Sequence, residues 1–99
     1  KGKSVVGYGA AAKANTLLNY AGVTPALLPF IYDIGKSKQG KYMPGSKIPI
    51  GCPSILYNNP PDFLIVFPWN IAQEIKTQLS ELELSGTALL TVIPDIRMI

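Results

Sequence analysis

Ninety-nine residues suit one small domain, long enough to bury a single core and short for an enzyme that must hold two substrates. With 47% hydrophobic and 15% charged residues, the composition is that of a globular chain rather than a disordered one. No apolar run reaches the ~18 residues a membrane span requires. The net charge of +3 comes without a basic helix carrying interleaved aromatics, which argues against nucleic-acid binding. A single cysteine, Cys52, excludes an internal disulfide, and the lack of histidine removes Cys-His and Ser-His-Asp chemistry from this chain. Zinc would need carboxylate or borrowed ligands. Cys52, followed by Pro53, reads as a small buried hydrophobe, with a reactive thiol as the alternative. The start on Lys1-Gly2-Lys3, without an initiator Met or a leader, gives the expectation of one domain, residues 1–99, cut from a longer cytoplasmic protein.

Ser4-Val5-Val6-Gly7 is short and apolar enough to be an interior strand of a parallel sheet. It runs into Gly7-Tyr8-Gly9-Ala10-Ala11-Ala12, which fits G-x-G-x-x-G/A. In that pattern the first glycine allows the tight turn, the second lets a pyrophosphate approach the backbone, and the small third residue lets the helix lie close. The helix expected over Ala10 to Ala21 has an apolar stripe at Ala14, Leu17, Leu18 and Ala21, and Gly22 and Pro25 end it. Its unpaired N–H groups and positive end favour an anion. Lys13 in the first turn is unfavourable there unless it points to water or a bound anion offsets it.

Leu27 to Ile34 reads as the second strand, with Asp33 at its carboxyl end. Asp33 follows the glycine turn at about the ~20-residue distance of a ribose-binding carboxylate; capping the loop behind it is the other reading. Gly35 to Lys47 has the composition of a loop and concentrates Lys36, Lys38, Lys41 and Lys47. Such a run is either a solvated face or, leaving the carboxyl end of a strand beside the glycine turn, a basic flap over a phosphorylated ligand, with Tyr42 available to stack or hydrogen-bond. Lys47 to Gly51 makes a short strand that Pro49 confines to an edge. Pro53 to Tyr57 allows one or two helical turns, and Asp62 to Phe67 is a central strand. Asn70 reads as the N-cap of a helix over Ile71 to Leu82, with a ligand contact as the alternative, and Trp69 as core or cleft wall. Ala88 to Ile93 forms the last strand, and Pro94 to Ile99 trails away from it. The β-α-β-β-α-β rhythm predicts an α/β fold: one open, mainly parallel five-stranded sheet of order 3-2-1-4-5 with helices on both faces.

Three stretches carry a family resemblance. They are Gly7-Tyr8-Gly9-Ala10-Ala11-Ala12-Lys13 with Asn15-Thr16-Leu17-Leu18-Asn19-Tyr20, the run from Asp33 through Lys38-Gln39-Gly40-Lys41-Tyr42-Met43-Pro44-Gly45 to Ile48-Pro49-Ile50, and Trp69-Asn70. Together they resemble the C-terminal domain of sugar C-methyltransferases, which use S-adenosylmethionine to methylate a carbon of nucleotide-linked keto-deoxysugars. Ala14 is a departure, since the family often has glycine there. The resemblance implies a Rossmann-like platform that holds a nucleotide-diphosphate sugar against an upstream domain of the same chain. That upstream domain binds the S-adenosylmethionine and supplies the catalytic residues. By matched positions, Gly7, Tyr8, Gly9, Ala10 and Lys13 would face the diphosphate or sugar, Asp33 would serve the same site, and Lys38, Tyr42 and Asn70 would line its cleft. Two other functions compete: a docking domain with a vestigial cleft, and a nicotinamide or flavin dinucleotide domain with Asp33 on the ribose.

Overall fold

The computed structural model describes residues 3–10, 12–68, 71–91 and 97–99, and the side chains of Lys13, Arg97 and Met98 lie outside that description. The elements run β1 (Val5–Tyr8), α1 (Ala12–Tyr20), β2 (Ile31–Tyr32), β3 (Ile50–Gly51), α2 (Ile55–Asn58), β4 (Phe63–Val66), α3 (Ala72–Gln78), α4 (Ser80–Leu84), β5 (Ala88–Thr91) and β6 (Arg97–Met98). The sheet order is β3-β2-β1-β4-β5-β6. Its first five strands are parallel and stand in the order 3-2-1-4-5. The α/β architecture expected from the sequence is therefore the one observed. No helix among the described residues is long and apolar enough to cross a membrane.

Strand pleating divides the core in two, because successive side chains leave opposite faces of the sheet. From β1 and β4, Val6, Tyr8, Leu64 and Val66 join Leu56 of α2 with Ala72, Ile75, Leu79 and Leu82 of α3, α4 and their junction. The alternate positions Val5, Ile65 and Phe67 face Ala14 and Leu18 of α1, together with Leu28, Met43 and Ile48. Each aliphatic or aromatic side chain so buried contributes roughly 1.5–3 kcal/mol. At the amino rim, Ser4 N–H donates to the Asp62 carboxylate at 2.7 Å and Asp62 N–H donates to Ser4 Oγ at 2.9 Å. This reciprocal pair sets the register of β1 on β4.

Beyond shifts of a residue or two at element ends, such as β1 reaching Tyr8, the elements differ from the sequence expectation in four places. β2 is shorter than Leu27 to Ile34, because Leu27 and Leu28 N–H both donate to Thr24 O in a helical turn and Pro29 has no N–H to offer a ladder. β3 pairs only at Ile50–Gly51, while Pro49 makes an isolated bridge to Tyr42; as expected, this is an edge of the sheet. The helix expected over Ile71 to Leu82 breaks at Leu79, whose φ of −103° and ψ of 22° leave helical geometry. Two residues earlier the Thr77 hydroxyl donates back to Gln73 O, a contact that bends helices. Ile75, Leu79 and Leu82 still share the buried face, but Ile71 is exposed and occupies the N-cap position of α3. Finally, Arg97–Met98 does not trail away: it pairs antiparallel with Leu90 and Thr91. A two-residue edge strand has no periodicity to read and is specified by its partner, as in the bond from Ile99 N–H to Leu89 O.

Candidate functional site

The glycine turn is packed closely by the protein itself. At Gly7 an added Cβ would stand 2.8 Å from Phe67 Cε2 and 3.1 Å from Ile31 Cγ1, so this glycine lets the second core cluster close on β1. Gly9 has φ +98°, a conformation that favours glycine, and the Pro68 ring fills the space a side chain would take. Gly9 N–H is bound to Tyr32 O at 2.7 Å. The next amide, Ala10 N–H, donates to Asp33 Oδ2 at 2.7 Å, while Gly35 N–H donates to Asp33 Oδ1, also at 2.7 Å. One carboxylate thus ties the β1 turn to the loop after β2, with charge-assisted bonds of the stronger kind. Asp33 caps the loop behind it, as one of its two sequence readings expects. A carboxylate has about four acceptor positions, which leaves capacity for a ligand hydroxyl.

The lysine-bearing segment between β2 and β3 is a built element rather than a bare loop. Gln39 Nε2 donates to Asp33 O at 2.8 Å, Gly40 N–H to Ile50 O, Met43 N–H to Ile48 O and Ile50 N–H to Lys41 O. Met43 and Ile48 are buried beneath it. Asn19 of α1 donates to Pro44 O at 3.0 Å. Gly45, at φ +83°, leaves room for the Asn19 amide where a side chain would collide. The segment is pinned to α1 and to the edge strand, and it arches over the amino end of α1.

Beneath the arch lies a cleft of about 490 Å³. Ala10, Ala12 and Asn15 form one wall, Ser37, Lys38, Lys41 and Tyr42 the other, and Met43, Pro44 and Ile50 complete the lining. Lys38 Nζ is 3.7 Å from Asp33 Oδ2, with the lysine side chain about half exposed and the carboxylate largely covered. Lys41 forms no ion pair among the described residues. The helix end and Lys41 favour negative charge in the cleft, while at its inner end Ala10 N–H is already taken by the Asp33 carboxylate.

Comparison with known proteins gives this cleft a setting. The family described as the C-methyltransferase C-terminal domain matches residues 1–94. The chain belongs to that family. It is also 38% identical over 98 residues to the C-methyltransferase NovU of Streptomyces niveus, covering 99% of this chain and 23% of that protein. The chain therefore spans about a quarter of the length of this curated relative.

Within this C-methyltransferase C-terminal domain, the residues singled out from the sequence separate into groups. Ala10, Lys38 and Tyr42 line the cleft, and Asp33 binds the backbone at its inner end. Gly7 and Gly9 shape the turn without lining it. Tyr8 is not brought to the cleft: it is 5% exposed and lies in the first core cluster, on the other face of the sheet. There burial, then the nearby Asp33 carboxylate and Tyr57, push its hydroxyl pKa up. The Lys13 side chain and Asn70, like Trp69, lie outside the described residues. Lys41, Asn15 and Ser37 were absent from the expected ligand-contacting set. Lys41 was legible as part of the basic run, but nothing in the sequence sets Asn15 apart from other polar positions of α1. Cys52 corrects the expectation of a buried hydrophobe. It is partly exposed with its sulfur 3.2 Å from Ser54 Oγ. That hydrogen bond first, a backbone contact to Ser54 and the Lys36 charge lower its pKa.

Proposed function

We propose that this is the substrate-binding domain of an S-adenosylmethionine-dependent C-methyltransferase, holding the diphosphate of a nucleotide-linked keto-deoxysugar in the cleft between α1 and the lysine-bearing arch. The longer polypeptide acts in the cytoplasm, and its upstream part carries the methyl donor. The observation that supports this best is the convergence of Lys38, Lys41 and Tyr42 on the amino end of α1. A diphosphate there would meet Lys41 and the helix end, with Asn15 and Ser37 offering hydrogen bonds and Tyr42 offering its ring to a base or sugar. Lys13, Asn70 and the spare acceptor positions of Asp33 belong to the same proposal.

S-adenosylmethionine supplies an electrophilic methyl group when bound, and nothing in this domain is assigned to hold it. The glycine turn fits such a cofactor, or a dinucleotide, poorly: Pro68 fills the approach to Gly9, and Asp33 already accepts from Ala10 and Gly35. Methylation at a carbon alpha to a ketone needs a base to form the enolate. With no histidine in these residues, that base comes from the rest of the polypeptide.

In the full-length enzyme, Lys41→Ala is expected to raise KM for the nucleotide sugar about fivefold to tenfold, the loss of roughly 1–1.4 kcal/mol from one charge-assisted contact in an open cleft, with kcat little changed. An unchanged KM at low ionic strength, where such a contact is least screened, would sink the assignment.

A further inference from the structure

A second concavity, of about 500 Å³, lies farther along α1 on the same face of the sheet and is lined only by apolar side chains. Leu17 and Ala21 form one side, Val23 and Leu27 another, and Val5 and Ile65 of the sheet lie at its base. Leu27 is 69% exposed. No acidic residue occurs between Val5 and Tyr32, the stretch that supplies most of the groove's lining. A depression lined wholly by apolar side chains is a candidate contact site.

We infer that the groove seats an apolar helix or strand from the methyltransferase polypeptide outside these 99 residues. The curated relative is covered over only 23% of its length, so about three quarters of such a polypeptide is left to pack on or be tethered to this domain. Any segment preceding Lys1 would join the chain within a few residues of Val5, at the groove itself. Position also connects the two concavities. Asn15 lines the cleft and Ala21 lines the groove, about 9 Å apart along the helix at 1.5 Å per residue. A domain docked in the groove would therefore stand beside the cleft, where a methyl donor has to meet a bound sugar. Docking depends on the groove and on family membership, not on the ligand: an unchanged KM for Lys41→Ala would leave it standing.

The test is photo-crosslinking in the full-length enzyme, with Leu27→benzoylphenylalanine compared with Leu84→benzoylphenylalanine. Leu84 is 87% exposed and belongs to α4, which packs on the opposite face. The expected result is that position 27 links to peptides of the same polypeptide outside this domain, with a yield at least fivefold that of position 84. Links between two polypeptides, links confined to the domain, or equal yields from the two positions would each overturn the docking assignment.

Discussion

The two faces of the sheet are finished to different degrees. On the face covered by α2, α3 and α4, the cluster that includes Leu64, Val66, Leu82 and Leu89 is closed by the chain itself, apart from a smaller concavity of about 370 Å³ where Val6, Tyr32 and Leu56 meet Phe30. The end of the chain is tied down there too: Lys76 Nζ bonds Glu83 Oε2 at 2.6 Å and Ile99 O at 3.0 Å. On the other face the cover is the nine-residue α1 together with Met43 and Ile48 of the arch, and Val5, Leu17, Val23 and Ile65 remain only partly buried around its core. Both the polar cleft and the apolar groove lie on this second face. The closed face provides the stability of a small domain, and the open face is where a ligand or another part of the polypeptide has something left to cover.

The largest expected effect is a test of that asymmetry. Leu82→Ala on the closed face is expected to cost about 2–5 kcal/mol, the range for emptying a well-packed core position. Leu27→Ala on the open face should stay within about 0.5 kcal/mol in the domain, as an exposed substitution does. Urea denaturation of the two variants would decide it, and similar losses would erase the distinction between the faces. Of intermediate size is Asp33→Ala, which leaves Ala10 and Gly35 N–H without their carboxylate. A loss of about 1–3 kcal/mol is expected, with faster amide exchange at Ala10 and Gly35. A stable variant with unchanged exchange would mean that the open face does not depend on Asp33 for its shape.

Much of this organisation is legible in the chain because the inner strands announce themselves. Val5-Val6 and Phe63-Leu64-Ile65-Val66 are apolar runs between turn residues, and they fix which strands are central and hence the sheet order. The arch was legible only as basic composition. Its shape rests on Asn19 reaching Pro44 and on Gln39 reaching Asp33, contacts between residues 25 and 6 positions apart, and such tertiary bonds leave no local pattern. Tyr8 shows the opposite limit. The glycine motif places it in a turn beside a ligand, whereas strand alternation extends one residue further than expected and turns its side chain into the core. Gly7 and Gly9 meet a related limit: a glycine required for close approach looks the same in sequence whether the neighbour is a phosphate or, as at these positions, Phe67 and Pro68.

The subtlest way to sharpen the contrast uses pH. Tyr8 and Tyr32 belong to the closed face, and burial pushes both phenols above their ordinary value of 10.0, with the Asp33 carboxylate and Tyr57 adding to the rise at Tyr8. Each folded phenol therefore holds its proton more tightly than the unfolded one. The associated stability is fully present below pH 10 and is lost as the pH rises through the folded values, because the unfolded chain ionises first. Denaturation measured at pH 8, 10 and 11 should show stability falling over the upper interval, and Tyr8→Phe should flatten that fall. The comparison with Tyr8→Phe matters because lysines also titrate in this range, and only the difference between the two proteins belongs to Tyr8. Parallel pH profiles would mean that the Tyr8 phenol ionises as readily in the fold as outside it, and that the first core cluster is open to water at its Asp33 end.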